Sequence, residues 1–240
     1  MTVNYKVRDI KGTIYDVEIE KNKTMKDFKE AIADVIQDDN YRCDLLNIIF
    51  NNNVIKDDDK TIESIGADEG ACFAISQIPT VSIKFILPPK QDLSNYQNLQ
   101  QKVDHFLIDK ECTEPKKIIE AICYQEPSLN PENVYIFSNN WAPFEGSIEV
   151  GEGKRFGLYI QEDGYTPLIF KGSTNSALLA FPSNDTLQAH ETEISNEFSH
   201  VQLEFYLDNS KIDTSKPINT FRKFSVITLT EKHCAFCLLI

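Results

Sequence analysis

The chain has 240 residues, enough for one large domain or up to three small ones. Hydrophobic residues make up 41% and charged residues 25%, which is typical of a soluble globular protein. The formal net charge is −13, spread along the chain, and this disfavours nucleic acids and anionic membranes as partners. Since no apolar run approaches the ~20 residues of a membrane span and the first residues lack a signal-peptide core, we expect a cytoplasmic protein.

Residues 1–78 begin with the pattern of a β-hairpin followed by a helix. Apolar residues alternate over Val3–Val7 and Tyr15–Ile19, with Gly12 between the two runs. Thr24 is suited to cap a helix whose apolar residues recur at helical spacing, namely Met25, Phe28, Ile32 and Val35. Short apolar strands follow at 46–50, 54–55 and 71–75. The resulting order, ββαββ and a final β, predicts a two-layer α+β domain.

Three motifs in this unit resemble the ubiquitin family. They are the helix start Thr24–Ile32, the strand Ile48–Phe50 with the polar turn after it, and the motif Thr61-Ile62-x-x-Ile65. The resemblance covers all of residues 1–78 and implies a β-grasp fold, in which the last strand lies at the centre of the sheet.

The same order of elements recurs twice. In residues 165–240 a hairpin is followed by Pro182–Leu187, which is similar to the family's helix start, and the helix would point Leu187, His190, Ile194 and Phe198 inward. Residues 79–161 show a weaker version with an enlarged first loop. We therefore predict three tandem ubiquitin-like β-grasp domains, at residues 1–78, 79–161 and 165–240, joined by short linkers.

The resemblance also implies a binding surface, an apolar patch on the exposed face of the sheet. The patch combines a residue of the first hairpin loop, an isoleucine just before the third-strand phenylalanine, and a residue near the end of the last strand. Its members are expected to be Ile10, Ile49 and Ser76 in the first domain, Ile136 in the second, and Glu204 in the third. The alternative is that Ile49 and Ile136 pack on a neighbouring domain, which short linkers favour.

Trp141, the only tryptophan, is a candidate interaction anchor in the second domain, because tryptophan contributes a large contact area in interface pockets. Its alternative role is to cover the core of its own domain.

Two features of the last residues bear on modification. Cys237-Leu-Leu-Ile fits a prenylation box, with Cys234 as a candidate palmitoylation site. Counting from Thr220 as from Thr61 instead places the last strand at 233–240, where Cys237 would be inaccessible, and we favour this strand. Since the Gly-Gly ending of conjugated ubiquitin relatives is missing, the resemblance implies a protein that is neither conjugated nor processed into single units.

Signatures of catalysis are missing from the sequence. It has no Gly-rich phosphate loop, no HExxH and no Gly-x-Ser-x-Gly motif, and its four histidines fall in separate elements. We expect no enzyme activity, no cofactor and no metal. The favoured function is a structural or adaptor subunit that binds large protein assemblies. The alternative is a regulatory protein that engages ubiquitin or proteasome receptors through its first domain.

Overall fold

The computed structural model describes residues 2–38, 41–89, 91, 93–96, 99, 103, 105–144, 146–198 and 203–231. Its fold is α+β, with three mixed β-sheets among the described residues. The chain divides into two compact units. The first comprises residues 1–81 with 109–111, and the second comprises residues 82–108 with 112–240. The second and third sheets thus belong to one unit, and the division into three domains stays a prediction.

The first sheet has five strands in the order β2-β1-β5-β3-β4, with the first and last strands parallel and adjacent at its centre. This is the arrangement that the resemblance implies for residues 1–78. The elements are β1 Thr2–Arg8, β2 Ile14–Glu20, α1 Met25–Ile36, β3 Leu46–Phe50, β4 Asn53–Ile55 and β5 Cys72–Gln77.

Helix α1 begins where the sequence predicts, because Thr24 and Asp27 form a capping box. The Asp27 N–H donates to Thr24 Oγ1 (3.1 Å), and the Thr24 N–H donates to the Asp27 carboxylate (2.9 Å). The helix packs on the inner face of the sheet through Phe28, which is fully buried. The Phe28 ring makes edge contacts with Tyr5 and Phe73, at centroid distances of 5.8 Å and 4.8 Å.

The second sheet has four described strands in the order β7-β6-β9-β8. Its elements are β6 Thr80–Ile86, β7 Phe106–Asp109, α2 Pro115–Gln125, β8 Val134–Ser138 and β9 Arg155–Ile160. The parallel pair β6 and β9 corresponds to β1 and β5 of the first sheet, since Phe85 lies opposite Phe156 as Val7 lies opposite Phe73.

The third sheet repeats the order of the first, as β11-β10-β14-β12-β13. Its elements are β10 Tyr165–Lys171, β11 Ser176–Pro182, α3 Glu191–Glu197, β12 Leu203–Leu207, β13 Ser210–Lys211 and β14 Val226–Glu231. Of the predicted inward positions, Leu187, Ile194 and Phe198 are buried. His190 stacks on Phe181 and contacts the carboxylates of Asp185 and Glu193.

The last strand of the third sheet lies earlier than predicted. An isolated bridge joins Thr186 to Pro217, as another joins Thr24 to Thr61. Pro217, rather than Thr220, is therefore the counterpart of Thr61, and counting from Thr220 moved the predicted strand to 233–240, which lies outside the described residues. The strand is Val226–Glu231.

Both cysteines proposed for lipid attachment, Cys234 and Cys237, lie outside the described residues, so this modification stays a prediction. In the described part of the chain, no helix has the length and apolar character needed to cross a bilayer.

Candidate functional site

A row of side chains crosses the outer face of the first sheet, the face opposite α1. Because side chains alternate between faces along each strand, residues directly opposite one another share a face. Arg8 lies opposite Ile14 and Ala74, and Ile49 lies opposite Ala74 and Val54. We call these five residues, Ile14, Arg8, Ala74, Ile49 and Val54, the outer row. Ile14 is 55% exposed and Val54 is 45% exposed.

The first hairpin turn places Ile10 beside the end of the outer row. The Asp9 carboxylate accepts hydrogen bonds from the backbone N–H groups of Lys11 (2.9 Å) and Thr13 (2.8 Å), which fixes the turn. Ile10 is left 69% exposed. The hydrogen bonds of Asp9, rather than burial of the Ile10 side chain, therefore hold Ile10 in position.

Hydrogen bonding decides the ionisation of Asp9. Burial by itself raises the pKa of this carboxyl, but the backbone N–H groups of Thr13 and Lys11 outweigh it and hold the pKa below its ordinary value of 3.8. The hydroxyl groups of Tyr15 and Tyr41 approach the second carboxylate oxygen at 3.4 Å and 3.5 Å. The turn is thus built around an ionised carboxylate.

The structure places all three residues expected from the first domain at one end of one face. Ser76 lies two residues beyond Ala74 on β5, opposite Asn47, and is partly exposed. Ile49 is also partly exposed and lies between Ala74 and Val54 in the outer row. The sequence interpretation missed Arg8, Ile14 and Val54, although the alternation of Tyr15, Val17 and Ile19 already assigns Ile14 to the outer face.

Ile136 is not on the outer face of the second sheet, contrary to the prediction. It lies opposite Leu158, as Ile48 lies opposite Ile75, and is only 8% exposed. The counterpart of Ile49 is Phe137. The two Ile-Phe pairs differ in phase by one residue, and a shift of one residue moves a side chain to the other face of a strand.

Glu204 lies on the outer face of the third sheet, as predicted, but two residues away from the position that corresponds to Ile49. It lies opposite Thr230 and corresponds to Asn47, whereas Tyr206, opposite Thr228, corresponds to Ile49. The Glu204 carboxylate accepts hydrogen bonds from Tyr206 Oη (2.8 Å) and Lys211 Nζ (2.6 Å). The β12 end of this face is therefore polar, whereas β10 and β11 carry apolar residues on the same face, Ile169 and Leu178, which are buried.

Trp141 packs between the second and third sheets. The ring lies against the outer face of Gly157, where a Cβ atom would come within 2.7 Å of two ring carbons, and Trp141 is 5% exposed. It belongs to an apolar cluster made by the outer faces of both sheets, which we call the intersheet cluster: Phe137, Trp141, Tyr159, Ile169 and Leu178, with Ile86, Tyr135, Ala180 and Phe224 against them. Trp141 therefore anchors two parts of its own chain.

Two aromatic residues of this region have left-handed backbone conformations, Trp141 with φ 61° and Phe224 with φ 62°. Such conformations cost bulky residues about 1–3 kcal/mol each and persist only when packing enforces them. Phe224 packs on Tyr135 and Phe137 at ring centroid distances of 4.8 Å and 5.3 Å. The intersheet cluster is thus a specific contact.

No group of three His, Cys, Asp or Glu side chains among the described residues is arranged to hold a metal ion. The described cysteines are Cys43, Cys72, Cys112 and Cys123, and they are thiols rather than members of a disulfide. Burial, and next the carboxylate of Glu120, raise the pKa of Cys123 to about 11, so this thiol stays protonated and is a poor nucleophile.

Comparison with known proteins gives structural likeness alone. No family model matches the chain, and no curated protein matches it. One similar solved structure is the ubiquitin-like domain of Plasmodium falciparum Dsk2, at 22% identity and a TM-score of 0.29, covering 32% of this chain and 99% of that one. Another is a ubiquitin-like domain of an Arabidopsis thaliana protein, at 14% identity and a TM-score of 0.29, covering 32% of this chain and 77% of that one.

Proposed function

We propose that this chain is a non-enzymatic, cytoplasmic adaptor or structural subunit built from three ubiquitin-like β-grasp modules. In this proposal the outer row of the first sheet, with Ile10 beside it, binds a partner protein. The second and third modules act together as one support.

The exposed outer row carries the proposal. Ile14, Ile49, Val54 and Ala74 form an apolar strip across the sheet that also contains the guanidinium of Arg8. Apolar side chains grouped in this way with an arginine among them are typical of protein-binding surfaces, where arginine is enriched and lysine is depleted. The strip lies on one face of a sheet, which suits a protein partner better than a small molecule, since small-molecule sites are concave.

The intersheet cluster favours a structural role over three independent binding modules. The outer faces of the second and third sheets contribute Phe137, Tyr159 and Leu178 to a shared core, so these faces are occupied within the chain. The corresponding face of the first sheet keeps Ile14 and Val54 exposed. One binding surface on a supporting body suits a subunit of a larger assembly.

The second candidate function is a regulatory protein that engages ubiquitin or proteasome receptors through the first module. The exposure of Ile10 and Ile49 favours it, because the resemblance to the ubiquitin family assigns receptor binding to these two positions. The two candidates share the surface and differ in the partner.

A matched pair of substitutions tests the proposal. Val54 lies in the outer row and is 45% exposed, whereas Val35 lies on α1 and is 44% exposed. The full chain and its Val54→Asp and Val35→Asp variants are used for affinity capture from cells of the native source, with quantitative mass spectrometry. We expect a defined set of proteins to be retained by the wild type and by Val35→Asp and lost with Val54→Asp.

The identity of that set separates the two candidates, since components of one stable assembly support the structural role and ubiquitin receptors or proteasome subunits support the regulatory one. Equal retention by both variants would show that the outer row is not the binding surface. Circular dichroism of each variant establishes that it is folded.

A further inference from the structure

The second unit contains a groove that the proposed function does not use. It lies between β8, α2 and the turn that precedes β14, and it has a volume of about 660 Å³. Its walls are apolar and partly exposed, and they include Ile119, Tyr135, Phe144, Leu207, Phe224 and Val226. The most exposed of these six side chains is that of Val226, at 41%. Because the groove is open and its walls are partly exposed, it suits an extended peptide segment better than a cofactor, which is usually enclosed.

One lip of the groove is basic. Arg222 and Lys223 are both exposed and both line it. Neither makes an ion pair with another residue of the described part of the chain. A single carboxylate, that of Asp208, lies among the lining residues. Arg222 and Lys223 thus form a local concentration of positive charge in a chain that carries a net charge of −13.

The basic lip is held in place by the turn that carries it. The Ser225 N–H donates to the Arg222 carbonyl (3.0 Å), and the Phe224 N–H donates to the Pro167 carbonyl (2.8 Å). The Phe224 ring is fixed against Tyr135 and Phe137. Because this order exists before any partner arrives, binding at the groove requires little further ordering of the backbone.

We propose that this groove binds an extended acidic segment of a partner protein, in which bulky aliphatic or aromatic side chains are flanked by aspartate or glutamate. The apolar side chains enter between Ile119 and Phe224, and the carboxylates pair with Arg222 and Lys223. The acidic surface elsewhere on the chain repels such a segment, so charge directs it to this lip. The groove is separate from the outer row and serves a second partner.

The probe is a phage-displayed library of random dodecapeptides selected on the immobilised full chain. Enriched sequences should combine two or more bulky apolar residues with Asp or Glu. Synthetic fluorescent copies are then titrated by fluorescence anisotropy against the full chain and two double variants. Arg222→Glu/Lys223→Glu reverses the lip, and Lys171→Glu/Lys216→Glu, at exposed lysines outside the groove lining, makes the same change in net charge.

We expect the lip variant to lose at least about tenfold in affinity and the control variant less than about twofold, with wild-type affinity falling as salt rises. Val226→Asp should also weaken binding, while Val54→Asp in the outer row should not, so failure here is distinguishable from failure of the proposed function. Absence of any enriched acidic peptide, or equal affinity for both double variants, would overturn the proposal. So would a dimer of the full chain that the lip variant dissociates, since the groove would then take a second copy.

Discussion

Asp9 connects the charge of a single side chain to the shape of the binding surface. Its carboxylate receives two backbone N–H groups and thereby fixes the turn on which Ile10 stands. Such bonds are stronger to an ionised acceptor than to a neutral one. The presentation of Ile10 therefore depends on pH as well as on sequence.

We predict that Asp9→Asn removes an acid-sensitive part of the stability. Because the folded-state pKa of Asp9 lies below the ordinary value of 3.8, the ionised carboxylate stabilises the fold. This contribution is fully present above about pH 3.8 and is lost as the pH falls through the folded-state pKa. At about pH 7 the variant should melt at a lower temperature than the wild type, and the difference should shrink as the pH falls below 3.8 and through the folded-state pKa. Thermal melts across this range measure it. A difference that stays constant with pH would contradict the assignment.

Unlike the carboxylate of Asp9, the buried hydroxyl of Tyr5 has no hydrogen-bond partner among the described residues. Burial, and then the nearby carboxylates of Asp68 and Glu69, raise its pKa, so it stays neutral. An unpaired buried polar atom costs about 1–3 kcal/mol. The hydroxyl therefore works against the stability of the first unit.

We predict that Tyr5→Phe leaves stability unchanged or raises it by up to about 1–3 kcal/mol. The ring contacts with Phe28 and Phe73 are kept, and only the unpaired oxygen is removed. Chemical denaturation of the full chain, followed by circular dichroism, tests this. Tyr5→Leu is the control and should destabilise, because it loses the aromatic edge contacts. A loss above about 1 kcal/mol for Tyr5→Phe would reveal a bonded hydroxyl.

Elements governed by local patterns could be predicted from the sequence. Helix α1 was found because its cap, Thr24, and its apolar period agree with one another. Strand β14 was misplaced because the count began from Thr220 in place of Pro217, and also because the preceding turn is shorter than its counterpart in the first sheet. Val226 follows Phe221 by five residues, whereas Cys72 follows Ile65 by seven. No local pattern reveals a deletion of two residues in a loop.

The sequence pattern also could not show which residues of β8 lie on the inner face of the sheet and which on the outer face, for a different reason. Ile136 and Phe137 are both apolar because each face of β8 is covered, one by α2 and the other by the third sheet. Burial on both faces removes the alternation that would set the phase. The contact of Trp141 with Gly157 joins residues on separate elements, so its spacing carries no sequence signal. The outer row was found in part, since Ile10 and Ile49 came from resemblance while Val54 and Arg8 required the register.

Strand β9 depends on a glycine for its contact with Trp141, and we predict that Gly157→Ala is destabilising. The added Cβ would lie 2.7 Å from the indole ring and 3.2 Å from the Phe137 Cβ, so the ring must move. Overpacking of this kind costs about 1–3 kcal/mol. The melting temperature and the tryptophan fluorescence should both change. Gly153→Ala is not a suitable control because its φ is +76°, whereas Gly151→Ala meets only ordinary contacts and should be nearly neutral.

At the scale of the whole molecule, the intersheet cluster decides which parts of the chain can stand alone. The first unit is closed around its own core, which includes Tyr5, Phe28 and Phe73. The second and third sheets instead share Phe137, Trp141 and Tyr159 with Ile169 and Leu178. Separating these two sheets would expose large apolar side chains on both.

We predict that residues 1–81 fold as an isolated fragment, whereas residues 79–161 do not reach the stability they have in a fragment of residues 79–240. Burying each large apolar side chain contributes about 1.5–3 kcal/mol, so exposing Phe137, Trp141 and Tyr159 together removes several kcal/mol. A small domain has about 5–15 kcal/mol in total, and the isolated second sheet should therefore be marginal. It should melt lower, bind a hydrophobic dye and tend to associate.

Thermal melts of the three fragments, together with dye fluorescence and sedimentation, test whether the second sheet depends on the third for its stability. Polar substitution at Leu178 in the 79–240 fragment is the internal control, because it weakens the cluster without cutting the chain and should move the melt toward that of 79–161. If residues 79–161 proved monomeric, free of dye and as stable as the longer fragment, the second sheet would be an independent domain. The intersheet cluster would then be a contact between two domains that fold independently. The proposed function could no longer treat the second and third modules as one support.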